Sequence, residues 1–315
     1  MTKTPSSFCT ICTKTCKQEL IGFLLSLSLH HPDAPCFVIC DSFTQKYILE
    51  TCTPKIKLNI TWNVELDSFT ELNRAQMEKK NIFGKFLAFK MKVMKYALQA
   101  YPDTMFVDSD TIILDALEFN EGFEVGLSPQ FVNNKIVKES GYYNAGLLWT
   151  NSMEVCNFWE SIINHTHSCA EQINMNKLQK YKYFEFGDHY NLQTWRFMLG
   201  VEPTNKITSY IQAKPALQKV YYKDKPLKFI HTHFNSARFQ KINNLFIQKL
   251  NEAHCYRELL IIFRVIHDKW LLTIPKQPAG GIWNHANDSF REMARLWSEC
   301  DSNSDLVVQE EAGHG

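Results

Sequence analysis

Short apolar runs alternate with stretches of helical periodicity from the start of the chain. Residues 6–12 read as a first buried strand that ends in Thr13, Lys14 and Thr15. Across residues 18–30 the apolar positions are Leu20, Phe23, Leu24, Leu27 and Leu29, one face of a helix, and His31 and Pro32 stop it. Residues 36–40 (Cys-Phe-Val-Ile-Cys) form a second apolar run closing on Asp41, followed by a helix over 42–50 and a strand over 56–64. Residues 90–100 are again helix-patterned and break at Tyr101, Pro102 and Asp103. Two apolar runs, 105–107 and 112–114, then flank Asp108, Ser109 and Asp110. Further along, 122–131 reads as irregular, Asn144-Ala-Gly146 as a tight small-residue turn into an apolar strand, 155–165 as a helix, 227–234 as a strand and 259–272 as a helix. A β-α-β-α rhythm predicts a parallel sheet with helices on its faces. Ligands of such sheets bind beyond the carboxyl ends of the strands, and Thr13, Asp41 and Asp108 all fall at such ends.

The chain has 315 residues, 45% hydrophobic and 13% aromatic, enough for one large α/β domain with a substantial core. A net charge of +1 gives no electrostatic case for a nucleic-acid partner. No apolar run approaches the roughly 20 residues of a membrane-spanning helix, and the stretch 20–29 lacks the basic leader and cleavage site of a signal peptide. The expected location is cytoplasmic. The ten cysteines include a C-x-x-C at Cys9 and Cys12, with Cys16 beyond. Zinc or redox chemistry competes there with small buried strand residues; without a second close Cys/His pair the latter is favoured, with free thiols in a reducing compartment. The sequons at Asn59, Asn164 and Asn287 then carry no information. The polar residues 301–315 are expected to form a disordered tail.

Asp108 and Asp110 sit at the mouth of a buried strand, where charge is costly without compensation. A divalent cation such as Mg²⁺ or Mn²⁺ supplies it for two clustered carboxylates and often carries phosphates with it. Neither G-x-G-x-x-G nor a P-loop occurs, which argues against a dinucleotide fold. Lys85, Lys90, Lys92 and Lys95 crowd one basic segment, most of it a solvated helix face.

The Asp-Ser-Asp triplet after a strand resembles the DxD motif of GT-A glycosyltransferases. Residues 141–151 (Gly-Tyr-Tyr-Asn-Ala-Gly-Leu-Leu-Trp-Thr-Asn) resemble the "FNAGVLLIN" segment of glycosyltransferase family 8 and related retaining enzymes. Residues 188–193 resemble their "DQDILN" segment but keep only Asp188 and Leu192, with His189, Tyr190 and Gln193 as departures. Residues 227–234 are similar to their late "IIHF" strand; His231 matches best, and His233 shares its face in an extended strand. Asn235-Ser-Ala-Arg238 replaces the usual Lys-Pro-Trp.

The resemblance covers residues 6–238. It implies a GT-A (Rossmann-like) α/β domain over 1–250, with a mixed, mainly parallel central sheet flanked by helices. A helical extension of the same domain would follow over 251–300, carrying a Pro/Gly break at 275–281 and Trp283 and Trp297. It implies Mn²⁺ or Mg²⁺ held by Asp108, Asp110 and His231 or His233, and nucleotide contacts from Thr13, Asp41, Asp108, Ser109 and Lys90. Asp188 would lie beside the sugar, Asn144 would bind its hydroxyls, and Lys90 would face the departing diphosphate. The donor would be a UDP-sugar and the acceptor a glycan or glycoprotein, with retention of configuration. A degenerate protein that binds nucleotide-sugar or glycan without turnover is the alternative. Haloacid-dehalogenase phosphatases fit less well, because Ile112 stands where they carry Thr or Val, and pyrophosphorylases want a Gly-rich, Arg-containing first loop.

Overall fold

A parallel β-α-β start needs strands that are apolar on both faces, and residues Phe8–Cys12 and Cys36–Cys40 are buried at every position. The computed structural model describes residues 2–52, 56, 58–164, 169–231, 233 and 239–270. The segment 235–238, Asn287, the break at 275–281, Trp283, Trp297 and the tail 301–315 lie outside them. The described structure belongs almost entirely to one unit that runs to Ile266.

Seven strands form the main sheet, in the spatial order Tyr183–Glu185, Val125–Pro129, Tyr143–Thr150, Thr104–Val107, Phe8–Cys12, Cys36–Cys40 and Ile60–Val64. Every pairing is parallel except the two made by Tyr143–Thr150, which runs against both neighbours. The sheet is therefore mixed and mainly parallel, with helices on its faces. Alternate residues of one strand feed opposite cores. Met105 and Val107 join Leu20, Phe23, Leu24 and Leu27 of the helix Lys17–His30. Phe106 joins Met91, Met94 and Ala97 of the helix Phe89–Ala100 on the other side. Three small sheets are described besides it: one of Asn191–Gln193, Phe229–His231 and Thr111–Ile113, a meander of Ile211–Lys214, Lys219–Tyr222 and Lys225–Pro226, and a short pair of Thr2–Lys3 with Phe119–Asn120. No described helix is long and apolar enough to cross a membrane.

Several expectations change. The "irregular" stretch 122–131 contains the strand Val125–Pro129. Asn144, Ala145 and Gly146 form no turn; they lie within the strand Tyr143–Thr150, where its pairing with Val125–Pro129 shifts register, and the chain reverses earlier, at Gly141 with φ of 93°. The run after Asp110 does not continue the main sheet, since Thr111–Ile113 leaves it to pair with Phe229–His231. That last strand ends at His231, so His233 is not its i+2 partner; it sits beyond the strand on left-handed backbone with φ of 40°. The strand predicted over 56–64 begins at Ile60, and the helix predicted over 155–165 spans Met153–Ser161. Among the cysteines, Cys9, Cys12, Cys36, Cys40, Cys156 and Cys255 are buried free thiols, and burial pushes the Cys9 and Cys12 thiols well up.

Candidate active site

The reversed strand explains how distant residues meet. Because Tyr143–Thr150 runs antiparallel to Thr104–Val107, its first residues lie beside the last residues of that neighbour, and the Asp108 N–H donates to the Gly146 carbonyl at 3.0 Å. The Thr111 hydroxyl donates to the Asp108 carbonyl at 2.9 Å and closes the Asp-Ser-Asp turn. The chain then enters the small sheet, where Thr111 pairs opposite His231. This register delivers an imidazole to the acidic pair from more than a hundred residues away.

His231 Nε2 lies 2.7 Å from Asp110 Oδ1 and 3.7 Å from Asp108 Oδ2. His233 Nδ1 lies 3.1 Å from Asp110 Oδ2, and the two rings stack with centroids 5.2 Å apart. Candidate ligand atoms of Asp110, His231 and His233 all fall within 4.8 Å of one another. Burial opposes charge on both Asp110 and His231, yet their mutual attraction prevails. Asp110 is held well below the ordinary carboxylate range and His231 above the ordinary imidazole value. Gly146 leaves the necessary room, since a Cβ there would stand 2.7 Å from His231 Cε1 and 2.8 Å from Asp108 Oδ2. Two carboxylates and two imidazoles thus converge on a space kept open by a missing side chain. This donor set fits a divalent cation: carboxylate oxygens suit Mg²⁺ and Mn²⁺, and nitrogen donors favour the transition metal of the two.

Lys90, in the first turn of its helix, is buried against this centre. Its Nζ lies 2.8 Å from Asp108 Oδ1 and 3.2 Å from Glu171 Oε1, and donates to the Ala145 carbonyl at 3.3 Å. Burial alone would lower its pKa, but the two carboxylates outweigh it and raise it above the usual lysine value. Asn144 is held on every side. Its Oδ1 accepts from the Gly146 N–H and from Asn191 Nδ2, both at 2.9 Å, and its Nδ2 donates to Gln172 Oε1 at 3.1 Å. Gln172 Oε1 also accepts from the Ala145 N–H at 3.2 Å, and Gln172 Nε2 donates to the Ser140 carbonyl at 2.8 Å.

A cavity of about 710 Å³ opens over these groups. Thr13, Lys90, Asp108, Ser109, Asp110, Asn144, His231 and His233 all line it. Met77, Phe83, Phe86 and Leu87 give it an apolar wall.

Two expected residues stand elsewhere. Asp41 is fully buried and does not line the cavity. Its carboxylate accepts from the Lys14 N–H at 2.7 Å, the Thr44 N–H at 2.8 Å and the Thr44 hydroxyl at 3.1 Å, so it caps the helix Ser42–Cys52 and ties down the first loop. Asp188 pairs with Lys223 at 2.6 Å and lines a separate, smaller cleft. Glu171 and Gln172 line the cavity, and sequence reasoning passed over both. No local signature in the sequence marks either residue, and the ion pair of Glu171 with Lys90 is what singles the pair out. His189 is buried, and burial pushes its pKa down to about 4.

No family model and no curated protein matches the chain. Among solved structures it is similar to the galactosyltransferase LgtC in complex with donor and acceptor sugar analogues (12% identity over 76% of this chain and 95% of that one, TM-score 0.45). It is similar also to mouse xyloside xylosyltransferase 1 in its apo form (10% identity over 73% and 98%, TM-score 0.41). A third neighbour is the glycosyltransferase GlyE of Streptococcus pneumoniae TIGR4 (13% identity over 87% and 66%, TM-score 0.45). All three neighbours are glycosyltransferases; likeness at this level fixes no activity for this chain.

Proposed function

We propose that this chain is a GT-A-type glycosyltransferase. It would move a sugar from a nucleoside-diphosphate sugar to a hydroxyl of a glycan or glycoprotein, with Mn²⁺ as the cation and UDP as the nucleotide. One observation carries the reading: Asp108, Asp110, His231, His233 and Lys90 converge beneath a cavity at the carboxyl ends of parallel strands. Uridine and retention of configuration rest on the resemblance alone.

Asp108, Asp110, His231 and His233 would hold the cation, which when bound neutralises a diphosphate and fixes its orientation. Lys90 adds a fixed positive charge at the same place. Two carboxylates keep it protonated, so it offers charge to the leaving group and no proton. Glu171 and Gln172 replace Asp188 as the groups beside the sugar: Glu171 is anchored by Lys90, and Gln172 by Asn144, Ala145 and Ser140. Such anchored polar groups bind hydroxyls in one orientation and lower the entropic part of the barrier. Asn144 acts as a brace between Gly146, Asn191 and Gln172.

The test is release of free nucleoside diphosphate from a panel of UDP-, GDP- and ADP-sugars with Mn²⁺, with and without glycan acceptors. The wild type should turn over at least one donor, and Asp110→Ala should lose roughly a hundredfold or more. Equal turnover in that variant would remove the metal assignment. A wild type that binds a donor but never releases nucleotide, even by slow hydrolysis, would establish the non-catalytic alternative.

A further inference from the structure

The cleft that holds Asp188 has a built interior unused by the proposed transfer. Arg196 is only 3% exposed, yet among the described residues no carboxylate forms an ion pair with it, and Asp188 and Glu202 act on it only as nearby charges. One of its terminal nitrogens donates to the Asp188 carbonyl at 2.8 Å and the other to the Tyr222 hydroxyl at 3.1 Å, while its Nε is buried without a hydrogen-bond partner. The guanidinium lies between two rings, 4.6 Å from the centroid of Phe131 and 5.1 Å from that of Tyr222. Burial with so little compensation lowers its pKa. The guanidinium therefore acts on the cleft as a positive charge in its wall, which suits an oxygen-bearing ligand.

The surroundings say which kind. Asp188, Glu202, Arg196 and Lys223 all line the cleft, and their formal charges cancel. A phosphate or carboxylate would meet two acidic side chains. A neutral polyol meets donors and acceptors together, because each hydroxyl both gives and takes a hydrogen bond. Phe131, Val201 and Ile207 supply apolar surface for the C–H face of a ring. The volume of about 250 Å³ suits a ligand the size of a single sugar ring. The position is suggestive as well. Phe131 stands between Gln130 and Val132, and Arg196 follows Trp195; Gln130, Val132 and Trp195 all line the larger cavity. The two cavities back onto the same two segments.

We infer that this cleft is a carbohydrate subsite that seats one sugar residue of the acceptor, next to but separate from the transfer centre. Its role as an acceptor subsite rests on the transferase reading, whereas its capacity to bind a sugar does not.

The experiment is saturation-transfer NMR on the full chain with UDP and Mg²⁺ present, using methyl glycosides of glucose, galactose, mannose and N-acetylglucosamine as probes. At least one glycoside should receive saturation. Val201→Trp fills the mouth from a position 65% exposed, where the fold tolerates bulk. Lys223→Gln removes the cation paired with Asp188. Each should weaken glycoside binding about tenfold while leaving saturation of UDP unchanged. No saturation of any glycoside in the wild type, or a signal that survives in both variants, would overturn the proposal. Failure of the transferase reading would be seen separately, as absence of UDP saturation and of nucleotide release.

Discussion

Gly146 is the position where the smallest change should do the most. Its Cβ would stand 2.7 Å from Asn144 Oδ1, 2.7 Å from His231 Cε1 and 2.8 Å from Asp108 Oδ2. Each approach is about 0.7 Å short of ordinary contact, so Gly146→Ala must move something. None of the three neighbours is free to retreat. Asn144 Oδ1 accepts two hydrogen bonds, His231 is buried against Asp110, and Asp108 is paired with Lys90. The strain of overpacking should cost about 1–3 kcal/mol of stability. The effect on the cation should be larger in proportion, because a ligand set works only within roughly 0.5 Å of its productive geometry. We expect Mn²⁺ affinity, measured by titration calorimetry, to fall by about one to two orders of magnitude, with a melting temperature lowered by a few degrees. Binding within about twofold of wild type, together with unchanged melting, would refute the crowding argument.

Lys90→Met should leave the buried Glu171 carboxylate and the half-buried Asp108 carboxylate without the lysine charge, costing about 3 kcal/mol; Mn²⁺ should restore part of it, and a melting curve unaffected by the substitution would contradict this. A pH dependence follows from two buried histidines. His31 Nε2 accepts from the Leu117 N–H at 2.8 Å and must stay neutral to do so. Burial holds His31 and His189 at about 4 against an ordinary 6.5, so across that window the unfolded chain takes up protons that the folded chain refuses. Their contribution, on the order of 3 kcal/mol each, is complete above pH 6.5 and lost as pH falls towards 4. Urea unfolding across that range should show stability rising with pH, and His31→Gln should flatten the slope; an equal slope in the variant would exclude His31 as a source.

The parallel core was legible because its strands are buried on both faces and therefore read as unbroken apolar runs, as in Phe8–Cys12 and Cys36–Cys40. The strand Val125–Pro129 was not. Its Gly126, Ser128 and Pro129 are poor strand formers, and Gly126 is needed because the Phe184 and Phe186 rings press on that backbone. Asn144-Ala-Gly146 looked like a turn because small residues favour turns, whereas here they make room beside the acids within a strand whose register shifts at that point. Of the candidate site, the Asp-Ser-Asp triplet and the late histidines could be read, since each has a local signature. Glu171 had none strong enough: it lies outside regular structure, and only its ion pair with Lys90 singles it out. Asp188 and Asp41 carried the right chemistry in the wrong place, and no one-dimensional pattern distinguishes a carboxylate that faces a cavity from one spent on a helix cap.

The reversed strand also decides where this protein can tolerate length change. Asp108 and Gly146 are joined through a backbone hydrogen bond, one step beyond the paired residues Val107 and Leu147. Insertions at exposed positions such as Gly122 would leave that alignment intact, because the ladder sets it and such loops do not. A slip of the ladder by a single residue would bring Ala145 or Leu147 opposite the acid and close the opening altogether, so natural variation in chain length should collect in those loops and stop at the ladder.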